Sequence, residues 1–123
     1  TLFRSEMLTA LQTDGVIAVR ADGFIARFNR LLWNIEEKMI VQLMTYFKEP
    51  LLPMAERLAY AEEHGWLESV SDWLLIRKTR DRLTHEYEGD IPSHTDALHE
   101  AHRYMPVLVR VAERLQEKAA ALN

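Results

Sequence analysis

From Phe24 to Phe47 apolar residues return every three or four positions: Phe24, Phe28, Leu31, Ile35, Met39, Leu43 and Phe47. At 3.6 residues per turn this spacing places them on one side of an α-helix, and nothing in the run alternates as a strand would. Leu32, Ile40 and Met44 widen the stripe, so the segment reads as the central helix of a bundle. Asp22 stands where an N-cap would, because its carboxylate can accept from free amides of a first turn beginning at Gly23. Pro50 biases Glu49 out of helical geometry and closes the segment.

The rest of the chain is punctuated in the same way. Pro53 suits a helix start and Gly65 a C-terminal cap, which predicts a short helix over 53–64. Ser69 or Ser71 opens the next helix; Ser69 lies three residues before Asp72, and Gly89 can end it. Ser93 or Thr95 then caps a long last helix, with Leu98, Ala101, Met105, Leu108, Ala112, Leu115 and Ala119 as its stripe. Pro106 falls well inside that stripe and predicts a kink rather than a stop. Near the N-terminus, Glu6 to Gln12 reads as helical. Gly15 to Val19 is open between a short strand, a buried loop and a helix extension, but one strand cannot make a sheet. The expected architecture is therefore a single all-α domain over residues 1–123, an up-and-down four-helix-type bundle with a short additional helix.

A length of 123 residues, 48% of them apolar, is enough for one core and leaves little room for a second. The absence of cysteine excludes a disulfide scaffold, thiolate zinc sites and a cysteine nucleophile, and fits a reducing compartment such as the cytoplasm. No run approaches the ~20 apolar residues of a membrane span. The opening Thr1-Leu2-Phe3-Arg4 has no secretory layout, and its lack of methionine is expected of a trimmed or partly ordered start. A net charge of -4 argues against coating nucleic acid by bulk electrostatics, yet Arg77, Lys78, Arg80 and Arg82 form a local basic patch.

That patch belongs to the densest polar run of the chain, Arg77 to Tyr87. Charge runs on helices are commonly solvated faces. This one also holds a guanidinium, an imidazole and a phenol within eight residues, near a helix end. Arginine offers planar, permanently charged donors to phosphate oxygens, and histidine moves protons near neutrality. Together they suit cleavage of an RNA phosphodiester, where the 2′-hydroxyl is the nucleophile and no metal is needed. On one straight helix Arg80 and His85 point about 140° apart. The reach of the arginine, a distorted helix end or a second subunit must close that gap.

Arg80, four residues, His85, Glu86 and Tyr87 resemble the signature of HEPN domains (higher eukaryote and prokaryote nucleotide-binding), whose pattern is arginine, four to six residues, histidine. Trp73 and Arg77 upstream are similar too, as is the order of helices over roughly Asp22 to Leu115. The resemblance implies a helical bundle that dimerises so that two motifs face one cleft. It implies a metal-independent ribonuclease, often the toxin of a bacterial toxin–antitoxin pair, with a minimal nucleotidyltransferase (MNT) as partner. In some such pairs the partner adds AMP to the motif tyrosine, here Tyr87. Other members are described as non-catalytic substrate-binding subunits of the transferase. On this basis Arg80 and His85 are the candidate catalytic residues, and Arg77, Asp81, Arg82 and Tyr87 the candidate substrate contacts. No cofactor or metal is expected. Asp81 departs from the asparagine often found after the arginine. Its carboxylate either repels an anionic substrate or pairs with Arg77 or Arg82.

The remaining candidates are weaker. His94, His99 and His102 lack the paired spacing of zinc proteases and are expected to be solvated or networked, although His99 and His102 could share a metal. His64 favours a helix C-terminus. Trp33, Trp66 and Trp73 could stack bases but are expected in the core or a dimer interface. Tyr104 is expected to pack in the core or to border the cleft.

Overall fold

The computed structural model describes the backbone of residues 15–85 and 91–122 and the side chains of residues 23–84 and 94–122. Among these residues the chain is an all-α helical bundle with no strand, as the periodicity predicts. A long rod is built from α1 (Gly15–Trp33), a π-helical segment (Asn34–Met39) and α2 (Ile40–Tyr46). A short α3 (Met54–Glu63) follows, then α4 (Val70–His85) and the long α5 (Ile91–Ala120). The α5 helix packs along α4 and also against α1 and the π segment, while α3 touches α4. No helix among the described residues is long and apolar enough to cross a membrane.

The rod departs from the sequence reading at both ends. Gly15 to Val19 extends the helix, and Asp22 lies inside it rather than capping it. The helix already supplies acceptors for the amides that follow Asp22, so no free first turn exists there to cap. At the other end, closure comes before Pro50. Lys48 adopts φ 61°, and Glu49 N–H donates to Met44 O at 2.9 Å, a left-handed cap of the kind usually made by glycine.

The π segment widens one turn of the rod. Ile40 N–H donates to Ile35 O, a bond spanning five residues instead of four. The buried residues run Phe28, Leu32, Ile35 and Glu36, Ile40, then Leu43 and Met44. Leu31 and Met39, which a regular stripe would bury, are only half-buried. Glu36, four residues after Leu32 and four before Ile40, is also in the interior, and only 2% of it is exposed. The core itself holds Phe28, Leu32, Met44, Leu58, Ile76, Leu98, Leu108 and Leu115, each almost fully buried and each worth about 1.5–3 kcal/mol of transfer free energy.

The other boundaries follow local chemistry. Pro53 occupies the N-cap of α3, and Gly65 closes its end at φ 76°, a conformation that strains any residue with a Cβ. His64 Nδ1 lies 2.9 Å from Tyr60 O at that terminus, the place its sequence position implies. Ser69 Oγ accepts from Asp72 N–H at 3.2 Å, so Ser69 and not Ser71 opens α4. The last helix begins at Ile91, which puts Ser93 and Thr95 inside it rather than at its cap; Thr95 is fully buried. Helix α5 continues through Pro106 without a stop. The predicted Glu6–Gln12 helix and the Gly89 stop lie outside the described residues.

Candidate functional site

Helix α4 carries the arginines of the motif, and its neighbours divide them. Trp73 and Arg77 are one turn apart and meet the same carboxylate: Trp73 Nε1 and Arg77 Nη1 donate to Glu36 Oε2 at 2.8 and 2.7 Å. The carboxylate is almost completely buried, so this charge is compensated where water cannot help. Arg57 of α3 completes the cluster. Its Nη1 donates to Glu36 O at 3.1 Å and lies 3.1 Å from Glu37 Oε2, while Nη2 donates to Leu52 O. On the other flank, Thr79 Oγ1 and Arg82 Nη1 donate to Glu100 Oε2 of α5 at 3.0 and 2.7 Å. Arg77 and Arg82, expected as substrate contacts, are thus both engaged in joining α4 to its neighbours.

Arg80 is placed differently. Its Nε and Nη2 donate to Asp81 Oδ1 at 3.1 and 2.9 Å, a pair in which Asp81 is more than half exposed. Asp81 therefore pairs with Arg80 itself and not with Arg77 or Arg82. Asp81 follows Arg80 directly and can curl back over the guanidinium, whereas the other two guanidinia already face Glu36 and Glu100. Arg80 also borders an open depression shared with Asn29, Arg30, Trp33, Asn34 and Lys38. Three of these six residues are cationic and none is acidic. Such a surface favours an anion, with an exposed indole at hand.

The π turn helps build this surface. Trp33 and Lys38 are five residues apart and would point about 140° away from each other on an α-helix. The wider turn lets Lys38 Nζ stand 5.4 Å from the centre of the Trp33 ring, a cation–π contact. Trp33 is 51% exposed, whereas Trp66 and Trp73 are 4% and 2% exposed. The expectation that all three are core or interface holds for the last two as core; Trp33 is at the surface. Asn29 Oδ1 is buried and takes no hydrogen bond.

Helix α4 remains α-helical to His85, so its backbone is not distorted to turn His85 toward Arg80. Of the three ways to bring these residues together, the reach of Arg80 and a second subunit remain. The side chain of His85 and all of Glu86 and Tyr87 lie outside the described residues, so the proposed histidine and tyrosine roles are not located.

The other sequence candidates fall away from this surface. Among the described residues no three histidine, aspartate or glutamate side chains converge on a common metal position. His102 instead stacks on Phe24, with ring centres 4.0 Å apart and planes 1° from parallel. Burial and the neighbouring His99 lower its pKa. Tyr104 is partly buried and packs against the core. A second, deeper groove of about 580 Å³ lies between the rod and the end of α5, lined mainly by apolar residues such as Met39, Leu115 and Leu122. It adjoins the basic depression through Asn34 and Lys38.

Glu36 and Arg57 were missed by sequence reasoning. The one available signal was a pair of glutamates, Glu36-Glu37, set inside an otherwise regular apolar stripe. No family model, curated protein or solved structure matches the chain.

Proposed function

We propose that this chain is a metal-independent, RNA-cleaving toxin of the HEPN type, acting in the cytoplasm as a homodimer and controlled by a minimal nucleotidyltransferase. The observation that carries the reading is the position of Arg80. It borders a cationic depression with an exposed tryptophan, five residues before His85 on one helix. In the proposed reaction His85 takes the proton of an RNA 2′-hydroxyl. That oxygen attacks the adjacent phosphorus, and the bond to the 5′-oxygen breaks. The 5′-oxygen receives a proton from an imidazolium, which the second motif of the dimer can supply. Arg80 holds the phosphate and offsets the charge that develops on its oxygens. The products are a 2′,3′-cyclic phosphate and a 5′-hydroxyl. Tyr87 lies beside this chemistry in sequence and is the hydroxyl that the partner would modify with AMP. The added bulk and negative charge would occupy the cleft.

One observation favours a second reading. Asp81 already neutralises Arg80, which suits a non-catalytic subunit that docks a nucleotidyltransferase or a nucleotide. Cleavage separates the two readings. The toxin reading expects a dimer, at twice the 14.4 kDa chain mass, that cuts single-stranded RNA in the presence of a chelator. His85→Ala should lose ~10²–10⁴-fold of that activity. Absence of cleavage by the wild type, or full activity in His85→Ala, leaves the non-catalytic reading.

A further inference from the structure

We propose that the depression beside Arg80 is a stacking subsite for single-stranded RNA. One base lies on Trp33, and the neighbouring phosphates are gripped by Arg30, Lys38 and Arg80. The proposal rests on the RNA reading above and names how that substrate is held.

The argument begins with the exposure of Trp33. Indole is the largest apolar side chain, and the other two tryptophans of the chain are buried. Trp33 keeps about half its surface in water, at the junction of α1 and the π segment. Lys38 Nζ stands 5.4 Å from the centre of its ring, so a cation is already at hand beside the exposed indole. A base offers a π-face of matching size, and any base will serve.

Charge selects the ligand class. Arg30 and Lys38 leave the lining cationic, Arg80 adds a guanidinium paired with the exposed carboxylate of Asp81, and no lining residue is acidic, so an anion with a flat aromatic part fits better than a neutral or cationic partner. Asn29 and Asn34 add two amides to the wall. Asn29 Oδ1 is buried and takes no hydrogen bond, which leaves one amide acceptor of this wall unused. The adjoining deeper groove is largely apolar and lacks this combination. Arg80 sits at the margin of the depression, so an RNA strand seated on Trp33 presents its next phosphate to the motif arginine.

The test uses the full chain carrying His85→Ala, so that RNA stays intact, and single-stranded RNA heptamers of adenine, uracil or cytosine. Trp33 is the one exposed tryptophan among the described residues, so stacking should quench tryptophan emission. Each heptamer should bind with quenching. Trp33→Ala should weaken binding about 5- to 100-fold and abolish the quench, while Trp33→Phe should restore part of the affinity. Arg30→Ala and Lys38→Ala should each flatten the dependence of log affinity on log salt by about 0.7. Unchanged helicity by circular dichroism checks the fold of each variant.

Binding without quenching, or Trp33→Ala binding as tightly as its parent, overturns the subsite. Cleavage by chains with His85 intact is followed in parallel. If the subsite fails while cleavage persists, the ribonuclease reading stands without it. If quenching and its loss are seen without cleavage, the subsite stands and the ribonuclease reading falls.

Discussion

Arg77 and Arg80 lie three residues apart on α4 and point within about 60° of each other, yet their surroundings assign them opposite tasks. Arg77 meets a buried carboxylate that also accepts from Trp73, so its charge is part of the framework. Arg80 meets only the exposed carboxylate of the next residue, among the contacts resolved, and borders a cationic depression. The nature of the partner makes the difference. A carboxylate held away from water immobilises its guanidinium, because separating them strands a charge. A carboxylate open to solvent gives up its guanidinium to a stronger anion at little cost.

The largest expected effect comes from the buried side of this comparison. Glu36→Ala leaves the Trp73 N–H without an acceptor and Arg77 without its counter-ion. It should lower unfolding free energy by about 3 kcal/mol, the lower end for breaking a buried pair, because Arg77 keeps some contact with water. Glu36→Gln retains an acceptor and should lose about half as much, a net hydrogen bond or so. Urea denaturation measures both. A loss below 1 kcal/mol in Glu36→Ala would mean that the cluster is not what holds α4.

On the exposed side, Asp81→Asn should free Arg80 while leaving stability nearly unchanged. An exposed pair is worth about 0–1 kcal/mol, so affinity for single-stranded RNA should rise by no more than a few-fold. Titration at fixed salt reads this directly. Weaker binding in the variant would show that Asp81 orients Arg80 rather than screening it.

A smaller effect tests whether the framework is equally firm where α5 meets α1. His102 stacks on Phe24, and burial together with His99 lowers its folded-state pKa below 6.5. The unfolded chain therefore binds the proton more readily. Stability should be unaffected by this group above its ordinary pKa and should fall as pH drops below 6.5 toward the folded-state value. His102→Phe should remove that component of the pH dependence. Identical slopes of melting temperature between pH 7.5 and 5.5 in both proteins would contradict it.

How much of this was legible in the sequence depends on the range of the cause. Gly65 at the end of α3 is local and was legible from its neighbours; Ser69 was one of two serines that could open α4, and the stripe gave the helix but not its burial, since Leu31 and Met39 are half-buried and Phe47 is exposed. The π turn was not legible, because Ile35 and Ile40 fit a broad α-helical stripe almost as well as a step of five. The arginines show the limit most clearly. Arg77, Arg80 and Arg82 look alike in the sequence, and all three read as phosphate contacts. What separates them is Glu36, distant in the chain, and Glu100 on another helix, neither of which local spacing brings into view. Asp22 failed as a cap for a similar reason: a cap is useful only where the preceding residues are not already helical.

The contrast between the two arginines is tested most directly by making Arg77→Ala and Arg80→Ala side by side and measuring, for each, unfolding free energy and affinity for a single-stranded RNA heptamer. Arg77→Ala should be the less stable of the two, by about 1–3 kcal/mol, because it strands Glu36 in the interior. Arg80→Ala should unfold like the parent and lose RNA affinity, with a salt dependence flatter by about 0.7. Equal losses of stability in the two variants, or RNA affinity that survives Arg80→Ala intact, would contradict the division of roles along α4.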